Sequence, residues 1–312
     1  MKDTLSMATT ATATSTGISR TAHRLAIASL VSQIGIIVTG GAVRLTASGL
    51  GCDNWPNCMP GTMTPVPESG IHGLIEFGNR LLTFVLVAIA IATIASVWKA
   101  RKQFPRIFWL SLGLLAIIPV QAVIGGITVW TKLNPWVVSL HFLASAALVC
   151  MATLLVNRTG LASNPQPGGI TGGPVAPTLR TLGWAIWVLS AAAVVLGTIV
   201  TGTGPHAGDP QAPRHDFNPD LVTRIHVVPV YLLVAAVAVA IFLAVRTNAP
   251  AHLRHGLWWM VGVLVLQAAI GYTQHFTGLP VPLVLAHMLG SALLMVAATN
   301  VWDRSTGLVS AK

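Results

Sequence analysis

Charge is what this 312-residue chain has least of: Asp, Glu, Lys and Arg make up 8% of it, and only 8 residues are acidic. Beside 54% apolar residues, that scarcity excludes a water-soluble globule, because one core cannot hide so much apolar surface. Cysteine is nearly missing as well, at 3 residues, and no pairs of Cys or His stand at zinc-like spacing, which argues against a zinc site. The first twenty residues lack the apolar core of a targeting peptide, and no small-residue cleavage site follows the first apolar run. They read as a disordered tail ahead of a retained first helix.

Long apolar runs are what the chain has in abundance. Stretches of the roughly 20 residues needed to cross a bilayer cover 25–43, 74–98, 107–130, 136–156, 179–201, 221–245, 256–275 and 281–302. The expected fold is an all-α integral membrane protein with eight transmembrane helices. Short cytoplasmic loops carry the Lys/Arg excess. Lys2, Arg20, Arg24, Lys99, Arg101, Lys102, Arg106, Arg158, Arg180, Arg246, Arg254, Arg304 and Lys312 fall on one side, against Arg44, Lys132, Arg214 and Arg224 on the other. Both termini are therefore expected in the cytoplasm, in a multi-pass protein of the cell membrane. The net charge of +10 reads as this topology signal and as attraction to anionic lipid, with no nucleic-acid partner.

The chain also repeats itself. VQAVIG, with His141 twenty residues after Gln121, matches LQAAIG, with His287 twenty residues after Gln267; GIIVTG at Gly35–Gly40 matches GTIVTG at Gly197–Gly202. Four spans per unit return the chain to its starting side. Two parallel four-helix-bundle repeats are expected, related by a pseudo-twofold axis along the membrane normal. The expected boundaries are a cytoplasmic tail (1–24), a first half (25–157), a cytoplasmic linker (158–178), a second half (179–302) and a closing tail (303–312). Gly and Pro crowd the linker between Thr159 and Pro177, which suits a flexible connection.

Ionisable side chains inside apolar spans are costly and need a reason to exist. His226 and His287 fall at similar depth on helices running the same way, and two neutral imidazoles so placed suit the axial positions of a haem iron. The plainer alternative is a histidine satisfied by a carbonyl or lining a polar cavity. His141 is the first-half counterpart of His287, and the repeat register sets Asn79 where the second half has His226. All these positions lie within about two helical turns, roughly 10 Å, of the outer side. Arg44, Arg80 and Arg224 sit at comparable depth and suit the propionates of a haem, while Arg80 has the alternatives of snorkelling or pairing with Glu76.

Glu76 is the only acidic residue inside any of the expected spans, where burial costs something like 3 kcal/mol. His72, Glu76 and Asn79 fall at i, i+4 and i+7, on one helical face, so the carboxylate is a candidate catalytic group of a first-half site. An i,i+4 pair with Arg80 is the competing structural account. Cys52 and Cys58 share an outer loop and read either as a disulfide on the oxidising side or as two unpaired thiols. Cys150 reads as a packing residue. His206 and His215 belong to a Pro/Asp-rich loop that reads as solvated, His275 as a core or interfacial residue, and His23, His252 and His255 as cytoplasmic flanks.

RLTASGLGCDNWPNC from Arg44 to Cys58, IEFGNR from Ile75 to Arg80 and the paired-histidine repeat together resemble the haem A synthase family, over about residues 25–302. The resemblance implies an eight-helix membrane enzyme that oxidises the C8 methyl of haem O to a formyl group, giving haem A for terminal oxidases. It implies that His226 and His287 hold a resident haem b, that Glu76 and His141 belong to the haem O site, and that Cys52 and Cys58 form an outer-loop disulfide. No equivalent cysteine pair stands in the second-half loop, Gly202 to Leu221. One departure concerns Asn79: the family's pattern is commonly Glu-x-x-His-Arg, and here asparagine takes the histidine's place. His141 is then left as a lone ligand of the substrate iron, or His72 substitutes on the same face.

The chemistry further implies a neighbouring haem O synthase as supplier, since haem O is too apolar to cross water freely, and an electron acceptor or donor that the sequence does not identify. A homo-oligomer is compatible with it. Two other classes of function fit the same spans: a quinone-linked dihaem b electron carrier and a transporter. Conversion of haem O to haem A separates them.

Overall fold

The computed structural model describes residues 17–163 and 175–306. Eight long helices account for most of them: α1 (Arg20–Leu45), α2 (Gly70–Val97), α3 (Pro105–Trp130), α4 (Pro135–Ser163), α5 (Pro177–Thr203), α6 (Pro219–Arg246), α7 (Ala251–Phe276) and α8 (Val281–Thr306). Among the described residues there is no strand, only an isolated bridge between Met59 and Thr62. All eight are long and apolar enough to cross a membrane. The shortest, at 26 residues, spans about 39 Å at the helical rise, beyond the roughly 30 Å of a bilayer's hydrocarbon.

Local sequence sets the helix starts. Proline opens α3, α4, α5 and α6, where its missing N–H is no loss. The side chains of Ser19 and Asn218 cap α1 and α6 by accepting from the Ala22 and Leu221 N–H groups at 3.1 and 3.0 Å. Within the first four helices, α1 packs on α2 and α4, and α3 on α2 and α4; the second four repeat this neighbour order, α5 on α6 and α8, and α7 on α6 and α8. Contacts of α8 with α1 and α4, and of α4 with α5, join the two sets. Buried Ile107, Leu114 and Leu155 centre the first core, and Ile186, Leu233, Leu257 and Met260 the second. Phe84, Trp109 and Phe276, at 71%, 65% and 78% exposure, belong to an outer surface that only lipid covers without cost.

Three expectations change at the end of the bundle where α1 begins and α8 finishes. Arg20–Arg24 are helical and not part of a tail, because Ser19 caps α1 and Ile18, itself buried, donates its N–H to the Ala162 carbonyl at 3.1 Å. Arg158–Ser163, expected in the flexible linker, continue α4. The reason is a buried polar cluster: Arg158 makes a two-pronged pair with Asp303 at 2.9 and 2.5 Å, and Asn157 donates to Asn300 and Asp303 at 2.9 and 3.0 Å. Asp303 is fully buried in α8, so 303–306 are helix and Glu76 is not the only acid in a span. The remaining linker residues (164–174), the first sixteen residues and 307–312, with Lys2 and Lys312, lie outside the described residues.

Candidate functional site

At the other end of the bundle, where α1 gives way to the loop before α2, lie Glu76 and the histidines at 141, 226 and 287. Three histidines share one setting. The ring of His141 lies against Gly125 of α3, with Cε1 3.4 Å from where a Cβ would stand; His287 meets Gly271 of α7 in the same way at 3.4 Å, and His226 meets Gly197 of α5 at 3.2 Å. In each, Nδ1 is buried without a hydrogen-bond partner. Nε2 is not so enclosed and has no protein partner among the described residues. Gln121 donates to the His141 carbonyl at 3.2 Å, and Gln267 to the His287 carbonyl at 3.3 Å, pinning the histidine-bearing helix to its neighbour. His226 on α6 and His287 on α8 belong to two helices that both pack on α5.

Glu76 is held from two sides. One carboxylate oxygen accepts from the Cys52 N–H at 2.7 Å and the other from Arg80 at 2.5 Å. Arg80 also donates to the Cys52 carbonyl at 2.7 Å and the Asn57 carbonyl at 3.0 Å. Cys52 and Cys58 form a disulfide, which decides between the two sequence alternatives. The loop they close is bolted to α2 by Glu76 and Arg80, and to α3 by Trp55, which packs flat on Gly126 and accepts from the Trp130 indole at its carbonyl at 2.9 Å. His72 is exposed and bonded to the Ser48 hydroxyl at 2.9 Å. Asn79 accepts from Thr39 at 2.7 Å.

The arginines divide. Arg44 reaches out of the first four helices to donate to the His206 and Thr201 carbonyls at 2.6 and 3.0 Å. Arg224 is exposed, two residues before His226, with no ion pair or hydrogen bond among the described residues. His215, expected to be solvated, is buried against Trp136 at 4.3 Å between ring centroids; burial and the nearby Arg44 hold it below the ordinary histidine range. Its backbone N–H donates to the Gly202 carbonyl of α5 at 3.0 Å, so a loop rich in Pro and Asp docks on the end of α5, with the His215 ring on Trp136 at the start of α4. His206 is fixed on the Leu279 carbonyl at 3.0 Å, and His275 is exposed beside Phe276. On α1, Gly40 faces Asn79 and the next residue, Gly41, faces Met288 of α8. One helix therefore separates the first-half polar site from the helix that bears His287.

A family model described as cytochrome oxidase assembly protein, COX15-CtaA, matches residues 23–299. The chain belongs to the COX15-CtaA family. Among its relatives is a heme A synthase of Symbiobacterium thermophilum, 27% identical over 247 residues, or 75% of this chain and 79% of that one. The heme A synthase of Shewanella oneidensis is 24% identical over an alignment of 327 residues, covering 89% and 96%. That of Lysinibacillus sphaericus is 37% identical over 137 residues, covering 42% and 43%.

Membership in COX15-CtaA brings a haem-related cofactor and substrate into question, and the residues present fit one. A buried, unpartnered ring nitrogen costs about 1–3 kcal/mol, and three such rings leave their other nitrogen free in the same way. Glycine at 125, 197 and 271 lets the ring edge lie on helix backbone, fixing its orientation without a hydrogen bond. Sequence reasoning found the histidines but not these glycines, although Gly125, Gly197 and Gly271 sit inside the repeated strings VQAVIG, GTIVTG and LQAAIG. It also missed the Cys52 N–H as a partner of Glu76.

Proposed function

We propose that this chain is an enzyme of haem A biosynthesis that oxidises the C8 methyl of haem O to a formyl group. In this reading His226 and His287 hold a resident haem b among α5–α8, and haem O is bound through His141 among α1–α4. The observation that carries it is the shared setting of the three rings, with Nδ1 buried, Nε2 unpartnered and the edge on glycine. Two such rings in the second half would suit a haem held in place, and one in the first half would suit a substrate that must come and go. A bound haem supplies one-electron redox chemistry at each site.

The protein's own groups supply position and proton control. Gln121 and Gln267 hold the backbone of the two ligand-bearing helices. Glu76, the candidate catalytic carboxylate, works from a fixed place, because Arg80 and the Cys52 N–H hold both of its oxygens. It takes up protons released as the methyl group is oxidised, with Arg80 stabilising its charged form. Arg224, exposed two residues before His226, is the arginine free to pair with a haem propionate; Arg44 and Arg80 meet one only by giving up carbonyl partners. The two halves act as parallel repeats in the cell membrane, with both termini in the cytoplasm and the disulfide end outward. Haem O arrives from a neighbouring haem O synthase, water supplies the formyl oxygen, and the electrons released leave to an acceptor outside this chain.

The test is extraction and chromatography of haems from cells making haem O, with and without this protein. Haem A is expected only with it. His226→Ala and His287→Ala should each remove the low-spin haem b spectrum, whereas Glu76→Ala should keep that spectrum and stop product. Haem O left unchanged by folded, haem-loaded protein would instead favour an electron carrier, and a normal spectrum in both histidine variants would end the ligand assignment.

A further inference from the structure

The two halves differ at one matched position in a way that changes what the first site can bind. In the second half the His226 ring occupies the groove beside Gly197, 3.2 Å from its Cβ position. The match of GIIVTG with GTIVTG makes Gly35 of α1 the counterpart of Gly197, and a Cβ on Gly35 would meet nothing within 4 Å. The groove that imidazole fills in one half is open in the other. The residue in register with His226 is Asn79, whose Oδ1 already accepts from Thr39 at 2.7 Å. Its Nδ2 has no hydrogen-bond partner among the described residues and stands 3.9 Å from the Cβ position of Gly40.

No second imidazole reaches this groove. His72 lies two turns along α2, about 10 Å by helical rise, and is exposed and tied to Ser48 at 2.9 Å. An amide is a weak ligand for haem iron and this one has its oxygen engaged, but its free N–H donates well to a small ligand. Resting on the haem reading above, the geometry points to a first-half site with a single protein ligand, His141. The groove at Gly35, Thr39, Gly40 and Asn79 would leave room beside a bound haem for a small exogenous ligand of its iron, water or a diatomic. The Asn79 amide donates a hydrogen bond to that ligand. The first half thereby differs in kind from the second, where two histidines, His226 and His287, would hold the haem.

The experiment is a spectroscopic titration of the purified full chain with haem B in excess, followed by carbon monoxide on the reduced protein. Two haems are expected, one low-spin and silent to carbon monoxide, the other high-spin and reactive to it. His141→Ala should halve the bound haem by removing the reactive component alone. Asn79→His should convert that component to low-spin and silence it, and imidazole added to the unaltered protein should do the same where that variant fails to fold. Two low-spin, silent haems in the unaltered protein would overturn the inference, as would a reactive haem that survives His141→Ala. If haem O is converted while both haems are silent, this inference falls and the proposed function stands. If the reactive haem behaves as described but haem O is untouched, the inference stands and the enzymatic reading falls. Binding of a single haem, with none that depends on His141, overturns the inference and leaves the proposed function to be decided by haem O conversion.

Discussion

Glycine under an imidazole is a demanding arrangement, because one methyl group is enough to disturb it. At Gly197 a Cβ would stand 3.2 Å from the His226 ring, so alanine forces the ring to yield by a few tenths of an ångström. Gly262, in the same half, would meet nothing within 4 Å and serves as the control. Gly197→Ala should lower the haem-to-protein ratio and broaden the low-spin band. Gly262→Ala should leave both unchanged while gaining up to about 1 kcal/mol of helix stability. Equal spectra in the two variants would remove the ring contact from the account.

The histidines were legible in the sequence because an ionisable group in an apolar run is conspicuous. The glycines were not, since glycine is common in membrane helices and this chain has 29 of them. What distinguishes Gly125, Gly197 and Gly271 is the ring on the next helix, a fact of packing. Glu76 was half legible: its charge and the i,i+4 partner Arg80 could be read, but the Cys52 N–H comes from a loop whose path the sequence does not state.

At the scale of elements, the loop between α1 and α2 is fastened at many points to the disulfide end of the bundle. Besides the disulfide it depends on Glu76 for the Cys52 N–H and on Arg80 for the Cys52 and Asn57 carbonyls. Glu76→Ala would leave the Cys52 N–H without its partner and Arg80 with only its two carbonyl acceptors, at about 1–3 kcal/mol for the lost bonds. The loop should then open more often, and the Cys52–Cys58 bond should be reduced several-fold faster by an added phosphine under native conditions. An unchanged rate would mean that the loop holds without α2.

Element identity was readable throughout, whereas element ends were not. The α4 helix overran its expected end because Arg158 finds Asp303, and α8 overran its own for the same reason. Pairing 145 residues apart leaves no mark in local composition, and an Arg near a span's end reads by default as a cytoplasmic flank. Likewise His215 sat in a loop of Pro and Asp that looked solvated, and only Trp136 on another helix makes it buried.

For the whole molecule, the seam between the two sets of helices is polar at both ends. Arg44 crosses it at the disulfide end, and Arg158 with Asn157 crosses it at the other. Removing one partner of a buried pair costs about 3–5 kcal/mol, while replacing both by apolar groups is often neutral. Arg158→Ala should therefore lower the thermal midpoint in detergent far more than the double variant Arg158→Met with Asp303→Leu. Equal losses in the two would place the stabilisation in packing and not in charge. The bundle neighbours were expected from the repeat, but these crossings were not, because each joins residues that the repeat does not relate.

The Arg158–Asp303 pair also has a consequence for how the chain is made. Ribosomes deliver α4 to the bilayer well before α8, so a buried guanidinium waits, without its carboxylate, for nearly half the length of the protein to be synthesised. Until Asp303 follows, Arg158 lacks its carboxylate, so this end of α4 reaches its final packing only when α8 joins it.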